Sequence, residues 1–166
     1  MLVVTACSGE TVDPIETIPP GEGAATPTDA VNELVEAINV PDFADASRLA
    51  MPGHAALAAL AEGAAFADVA AALRGGDEEI ASNFWAGFAQ QTGSFLSDGV
   101  TAVDNGVVTQ DDIELHEVTV TSADGETRSV FVQEADGYRI DLFASFGPGL
   151  ADKMMGPAER LLSTQT

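Results

Sequence analysis

Residues 118–142 read VTVTSADGETRSVFVQEADGYRIDL, and the fold is decided there. Val118 and Val120 alternate with Thr119 and Thr121. Val130 and Val132 follow at the same period, and then Tyr138, Ile140 and Leu142. Alternation at period two marks strands with one buried face. Between the runs stand two identical tripeptides, Ala123-Asp124-Gly125 and Ala135-Asp136-Gly137. A three-residue hairpin loop is typically a type I turn closed by glycine in the left-handed region. Such loops pair Ser122 with Glu126 and Val118 with Val130, then Glu134 with Tyr138, Val132 with Ile140 and Val130 with Leu142. A two-residue first loop would set Val118 opposite Phe131 and turn Val130 and Val132 away from the core. Turn chemistry and hydrophobic pattern therefore agree on a three-strand antiparallel meander.

Upstream, a further strand is expected around Val100 to Val103, turning at Asp104-Asn105-Gly106 into Val107-Val108. The strand 113–121 carries a parity fault, with Ile113 and Leu115 odd but Val118 and Val120 even. A bulge near His116 would reconcile them. The first half of the chain is helical. Thr26-Pro27 reads as an N-cap and first helical residue, followed by the stripe Val31, Leu34, Val35 and Ile38. A second helix after Pro41 turns Phe43, Ala46, Leu49 and Ala50 inward and ends at Met51-Pro52-Gly53. An alanine-rich stretch runs from His54 to Glu62, and Phe66, Val69, Ala70 and Leu73 form the next stripe. Asp77-Glu78-Glu79 opens the strongest helix, 77–97, with acids where its dipole favours them. Its Ile80, Phe84 and Phe88, with Trp85 beside them, are expected to fill the concavity of the sheet. Short helical pieces are expected around Leu150, Met154, Leu161 and Leu162. Helices followed by a meander define an α+β domain.

The chain has 166 residues, with 27 Asp and Glu against 6 Lys and Arg, a net charge of −21. That balance excludes nucleic-acid binding, which needs cations to displace phosphate counterions. It also excludes electrostatic landing on anionic lipid. With 46% hydrophobic residues the chain folds, and its one cysteine, Cys7, makes no internal disulfide. Val4-Thr5-Ala6-Cys7 resembles a bacterial lipobox, an aliphatic residue and two small ones before the cysteine that accepts a lipid. The resemblance implies a mature chain starting at Cys7 and held to the outer face of the cell membrane. The alternatives are a small buried cysteine near the start, or a cytoplasmic protein in which the pattern is chance. Residues 8–26, rich in Pro, Gly and acids without an apolar period, read as a flexible linker. The organisation is then 1–7 signal remnant, 8–26 linker and 27–166 one domain.

The lipobox, the acidic linker, the helical half and the strand Asp136-Gly137-Tyr138-Arg139-Ile140-Asp141 together resemble actinobacterial lipoproteins with a nuclear-transport-factor-two-like domain. The resemblance covers about 27–163. It implies a cone-like fold in which a curved sheet wraps a long helix around an apolar pocket. Such folds host isomerases, dehydratases and purely binding or structural domains, so the resemblance fixes no activity.

Little in the sequence carries chemistry. His54 and His116 have no partner at metal-ligand spacing, and no nucleophile elbow, P-loop or calcium loop occurs. The pair Asp111-Asp112 reads as a solvated face, and Asp141 as a solvated strand position. No cofactor and no metal are called for. By resemblance, enzymes of the cone fold use an acid or base in the cavity, and His116 and Tyr138, both on even positions, are the candidates. Trp85, Phe88, His116 and Tyr138 are the candidate pocket. The expected function is a membrane-tethered, non-catalytic domain that binds an apolar ligand or an envelope protein, or acts as a scaffold. The alternative is an isomerase- or dehydratase-like enzyme using His116 or Tyr138.

Overall fold

The computed structural model describes residues 22–147, except 62, 66, 70, 72–77, 94 and 98. Cys7, most of the linker, Phe66, Ala70, Leu73 and the pieces around Leu150 to Leu162 lie outside the described residues. Helices α1 (Pro27–Asn39), α2 (Phe43–Leu49), α3 (His54–Ala61) and α4 (Glu78–Thr92) precede an antiparallel sheet, and residues 67–69 are helical as well. The sheet has the order β1-β2-β3-β4, formed by Thr101–Gln110, Ile113–Thr121, Thr127–Ala135 and Gly137–Ile140. The α+β class is as the sequence indicates.

α1 begins as its residues dictate. The Thr26 hydroxyl accepts from the Asp29 amide at 3.1 Å, and Pro27 occupies the first turn, where a missing N–H costs nothing. Val31, Leu34, Val35 and Ile38 are all buried. Asp42 caps α2 in the same way, through the Asp45 amide at 3.1 Å. Ala46 and Leu49 are fully buried on the inner side of α2.

Both meander hairpins have the anticipated register. Val118 pairs with Val130, Val132 with Ile140 and Glu134 with Tyr138. The Ser122 amide donates to the Glu126 carbonyl at 2.8 Å, while the Ser122 hydroxyl bonds the Asp124 carboxylate inside the first loop. Gly125 and Gly137 have φ of +91° and +85°, the left-handed geometry such loops require.

Four expectations are corrected. Asp104-Asn105-Gly106 is not a turn. β1 runs through it as one strand, with Asn105 and Gly106 bulged between the pairs Asp104–Val118 and Val107–His116. Gly106 sits at φ +101°, and its amide donates to the Asp104 carboxylate at 2.9 Å. The turn lies instead at Asp111-Asp112, with φ of +49° and +65°, the left-handed pair that a two-residue hairpin loop of primed type needs and aspartate tolerates. The irregularity is thus in β1 rather than at His116, since β2 runs unbroken against β3 from His116–Val132 to Thr121–Thr127. The parity fault has another cause: β2 is buried on both faces, Val118 and Val120 on one and Leu115 on the other. Leu115 lies beside Phe143 and Ala144 of the helical turn 142–147.

That turn is the third correction. β4 stops at Ile140, and Leu142, though fully buried, belongs to the helical turn rather than to a strand opposite Val130. Asp141 is its N-cap, accepting from the Phe143 and Ala144 amides at 3.0 and 2.9 Å, and is not a solvated strand residue. The fourth concerns the sheet's cover. α1 packs across all four strands, while α4 packs chiefly on α3 and α2. α1 carries the more segregated apolar stripe, so it fits between sheet and solvent. The aromatics of α4 join the same buried cluster from the helical side, with Trp85 bonded to Ser47 of α2.

The folded unit reaches back before residue 27. Ala24 and Tyr138 exchange both main-chain hydrogen bonds at 2.9 Å, so residues 23–24 cover the outer edge of β4. Ala50 and Met51 meet the same strand at Ile140. Arg48 holds this corner, with its guanidinium on Glu33 at 2.8 Å, Asp45 at 2.6 Å and the Glu22 carbonyl at 2.7 Å. Arg139 is buried beneath it and donates to the Arg48 carbonyl at the end of α2.

Candidate functional site

The four candidate pocket residues fall into two groups. Trp85 and Phe88, on α4, belong to the core. Trp85 is fully buried, with its indole N–H donating to the Ser47 hydroxyl at 2.9 Å. Its ring meets Phe84 and Phe88 edge-on at centroid distances of 5.1 and 5.4 Å, and Phe88 meets Phe146 at 5.1 Å. These are the favourable geometries of packed aromatics.

His116 and Tyr138 come together at the margin of the sheet, edge-on with centroids 5.3 Å apart. Their even positions place both on the α1 side of the sheet, as the parity reading required. His116 Nδ1 stands 3.2 Å from the Asp104 carboxylate. Asp104 can reach it because the bulge inserts one extra residue between the pairs facing Val118 and His116. In the neutral tautomer that carries its proton on Nδ1, facing the carboxylate, Nε2 is the acceptor. His116 borders an open cleft of about 500 Å³ with Val107, Asp112, Glu114 and Glu134. Ile113 and Gln133 complete its lining, and with three acids and no lysine or arginine among these residues the cleft suits a cation better than an anion.

The sequence reading missed a second aspartate–histidine pair. His54 opens α3, and its Nδ1 is buried without a hydrogen-bond partner, 3.6 Å from the Asp141 carboxylate. The ring meets Phe143 edge-on at 4.7 Å. Burial lowers the His54 pKa, and the Asp141 charge opposes that shift without cancelling it. An imidazole with a lowered folded pKa contributes stability above the unfolded value of about 6.5 that is lost as pH falls through the folded value. The stability difference between the parent and His54→Asn is therefore expected to move against the parent from pH 7.5 to 5.5. Urea unfolding at the two pH values measures it, and a difference that stays flat or moves toward the parent would contradict the assignment.

Among the described residues no cluster of three or more His, Cys, Asp or Glu is placed to hold a metal ion. No described helix is long and apolar enough to cross a membrane. No family model, curated protein or solved structure matches this chain. Among the described residues the site chemistry rests on two histidines near aspartates: His116 beside Asp104 at an open cleft, and the half-buried His54, whose Nδ1 stands near Asp141 without a hydrogen bond.

Proposed function

We propose that this chain is the outer-face domain of a lipid-anchored envelope protein, non-catalytic, working through its surface on a partner protein. The observation that carries the reading is the complete burial of the large side chains at the centre of the described domain. Trp85, Leu34, Leu49, Leu96, Ile140 and Leu142 are all less than 2% exposed, and the one polar atom of Trp85 is satisfied within the core. The clefts at His116 and beside Leu115 are open and rimmed by acids, and the more apolar one at Ala59, Ile80 and Phe84 is open and only about 240 Å³, which suits a macromolecular surface better than an enclosed apolar ligand. The finer fold reading, a nuclear-transport-factor-two-like cone, is supported by α1 lying across the whole sheet.

The tether rests on Val4-Thr5-Ala6-Cys7 and on the linker composition after it. Two acyl chains on Cys7 would suffice for stable anchoring. Expressed with a complete signal, the parent is expected in the detergent phase after phase separation, and Cys7→Ala in the aqueous phase. Equal partitioning of the two would refute the anchor.

A second reading, an enzyme of isomerase or dehydratase type, is favoured by the Asp104-oriented His116 beside Tyr138. It requires a small molecule whose stabilisation of the parent is lost in His116→Ala.

A further inference from the structure

We propose that the outer edge of β1 receives an extended, lysine- or arginine-rich segment of a partner protein as an added strand. This rests on the partner-binding reading above and names the surface and the chemistry of the partner.

The sheet has two edges, and they are treated differently. β4 is covered by residues 23–24 and by Ala50-Met51, whereas among the described residues β1 has a strand neighbour only on the β2 side. Ten residues long, β1 presents alternate main-chain N–H and C=O groups outward, the template on which strand addition works. Val103 and Val107 are 59% and 57% exposed. They pair with Thr119 and His116, positions of opposite parity on β2, so one valine stands on each face of the sheet. A strand laid beside β1 would therefore find an apolar neighbour for its own side chains on both faces.

Charge selects the occupant. Residues 101–121 contain Asp104, Asp111, Asp112, Glu114 and Glu117 and not one lysine or arginine. A second copy of the chain would bring the same acids and another −21 charges to the edge, so self-pairing is opposed. The bulge at Asn105-Gly106 opposes it further, because two bulged edges cannot run flat against one another. A basic segment meets neither obstacle, since its cations face the acids and its flexible backbone can follow the bulge. The position also fits a tethered domain. The chain leaves toward Cys7 from the β4 edge, and β1 lies three strand spacings away, about 14 Å across the sheet.

The test titrates the ¹⁵N-labelled full chain with a ten-residue peptide alternating lysine with valine and threonine. Two controls are used: the same peptide with glutamate for lysine, and the lysine peptide N-methylated at alternate amides. The lysine peptide should perturb the amides of 101–110 first and bind at least tenfold more tightly than either control. Val103→Lys with Val107→Lys should weaken binding at least tenfold while its dispersed spectrum reports an intact fold. Equal binding by the N-methylated peptide would overturn the proposal, because attraction alone would then suffice. So would a dimer of the parent paired through β1. Perturbation confined to another surface would remove the β1 assignment but keep the partner-binding reading. An anchor refuted by Cys7→Ala would remove the tether and leave the peptide result untouched.

Discussion

Gly137→Val is expected to cost about 3 kcal/mol in folding stability, against about 1–2 kcal/mol for Gly125→Val. Both glycines stand in the left-handed region, where a β-branched residue is strained. They differ in what surrounds them. A Cβ on Gly125 would meet nothing within 4 Å, whereas on Gly137 it would lie 2.7 Å from the Gly23 carbonyl carbon. The chain crosses itself there, with residues 23–24 pressed against β4, and neither backbone can retreat without breaking the Ala24–Tyr138 hydrogen bonds. Gly23→Ala separates the two causes. Its Cβ would meet the Tyr138 carbonyl oxygen at 2.7 Å, yet Gly23 is not among the positive-φ glycines. Urea unfolding should rank Gly137→Val above Gly125→Val, with Gly23→Ala clearly destabilised. Equal costs for the two valine variants would mean that the crossing does not form.

Trp85→Ala should be the most damaging single change, about 3–5 kcal/mol, because it empties the largest fully buried side chain. In a chain of this length that corresponds to a fall in melting temperature of about 10 °C or more. Trp85→Phe keeps most of the volume but removes the indole N–H, leaving the Ser47 hydroxyl without its donor. Its cost should be smaller, about 1–3 kcal/mol. Thermal unfolding followed by circular dichroism measures both. A melting point for Trp85→Ala within a few degrees of the parent would contradict a solid core around α4.

The parts of the fold that were legible in the sequence are those where two local signals coincide. In the meander, loop chemistry and side-chain alternation each fix the same parity, so Val118–Val130 and Val132–Ile140 could be paired residue by residue. The same parity brought His116 and Tyr138 to one face. β1 was misread because Asp104-Asn105-Gly106 has the composition of a hairpin loop and of a glycine bulge alike. The true turn, Asp111-Asp112, uses left-handed aspartates that look like ordinary surface acids. Amphipathic period says that a helix face is buried, not against what, and so α1 and α4 exchanged places over the sheet. Asp141 caps the helical turn through the nearby Phe143 and Ala144 amides, a local signal masked by the strand alternation that runs into it, whereas its place beside His54 depends on a contact between distant segments that no local pattern encodes.

The central claim is that the interior is filled and recognition lies on the surface. Thermal shift with small apolar molecules such as benzene and indole tests it most directly, with Phe88→Ala as the cavity-bearing comparison. An emptied apolar cavity takes up such molecules. The melting point of the parent should not move, while Phe88→Ala should melt lower and be partly restored by them. A parent chain stabilised by several degrees on adding either molecule would contradict the claim and place a ligand site inside the domain.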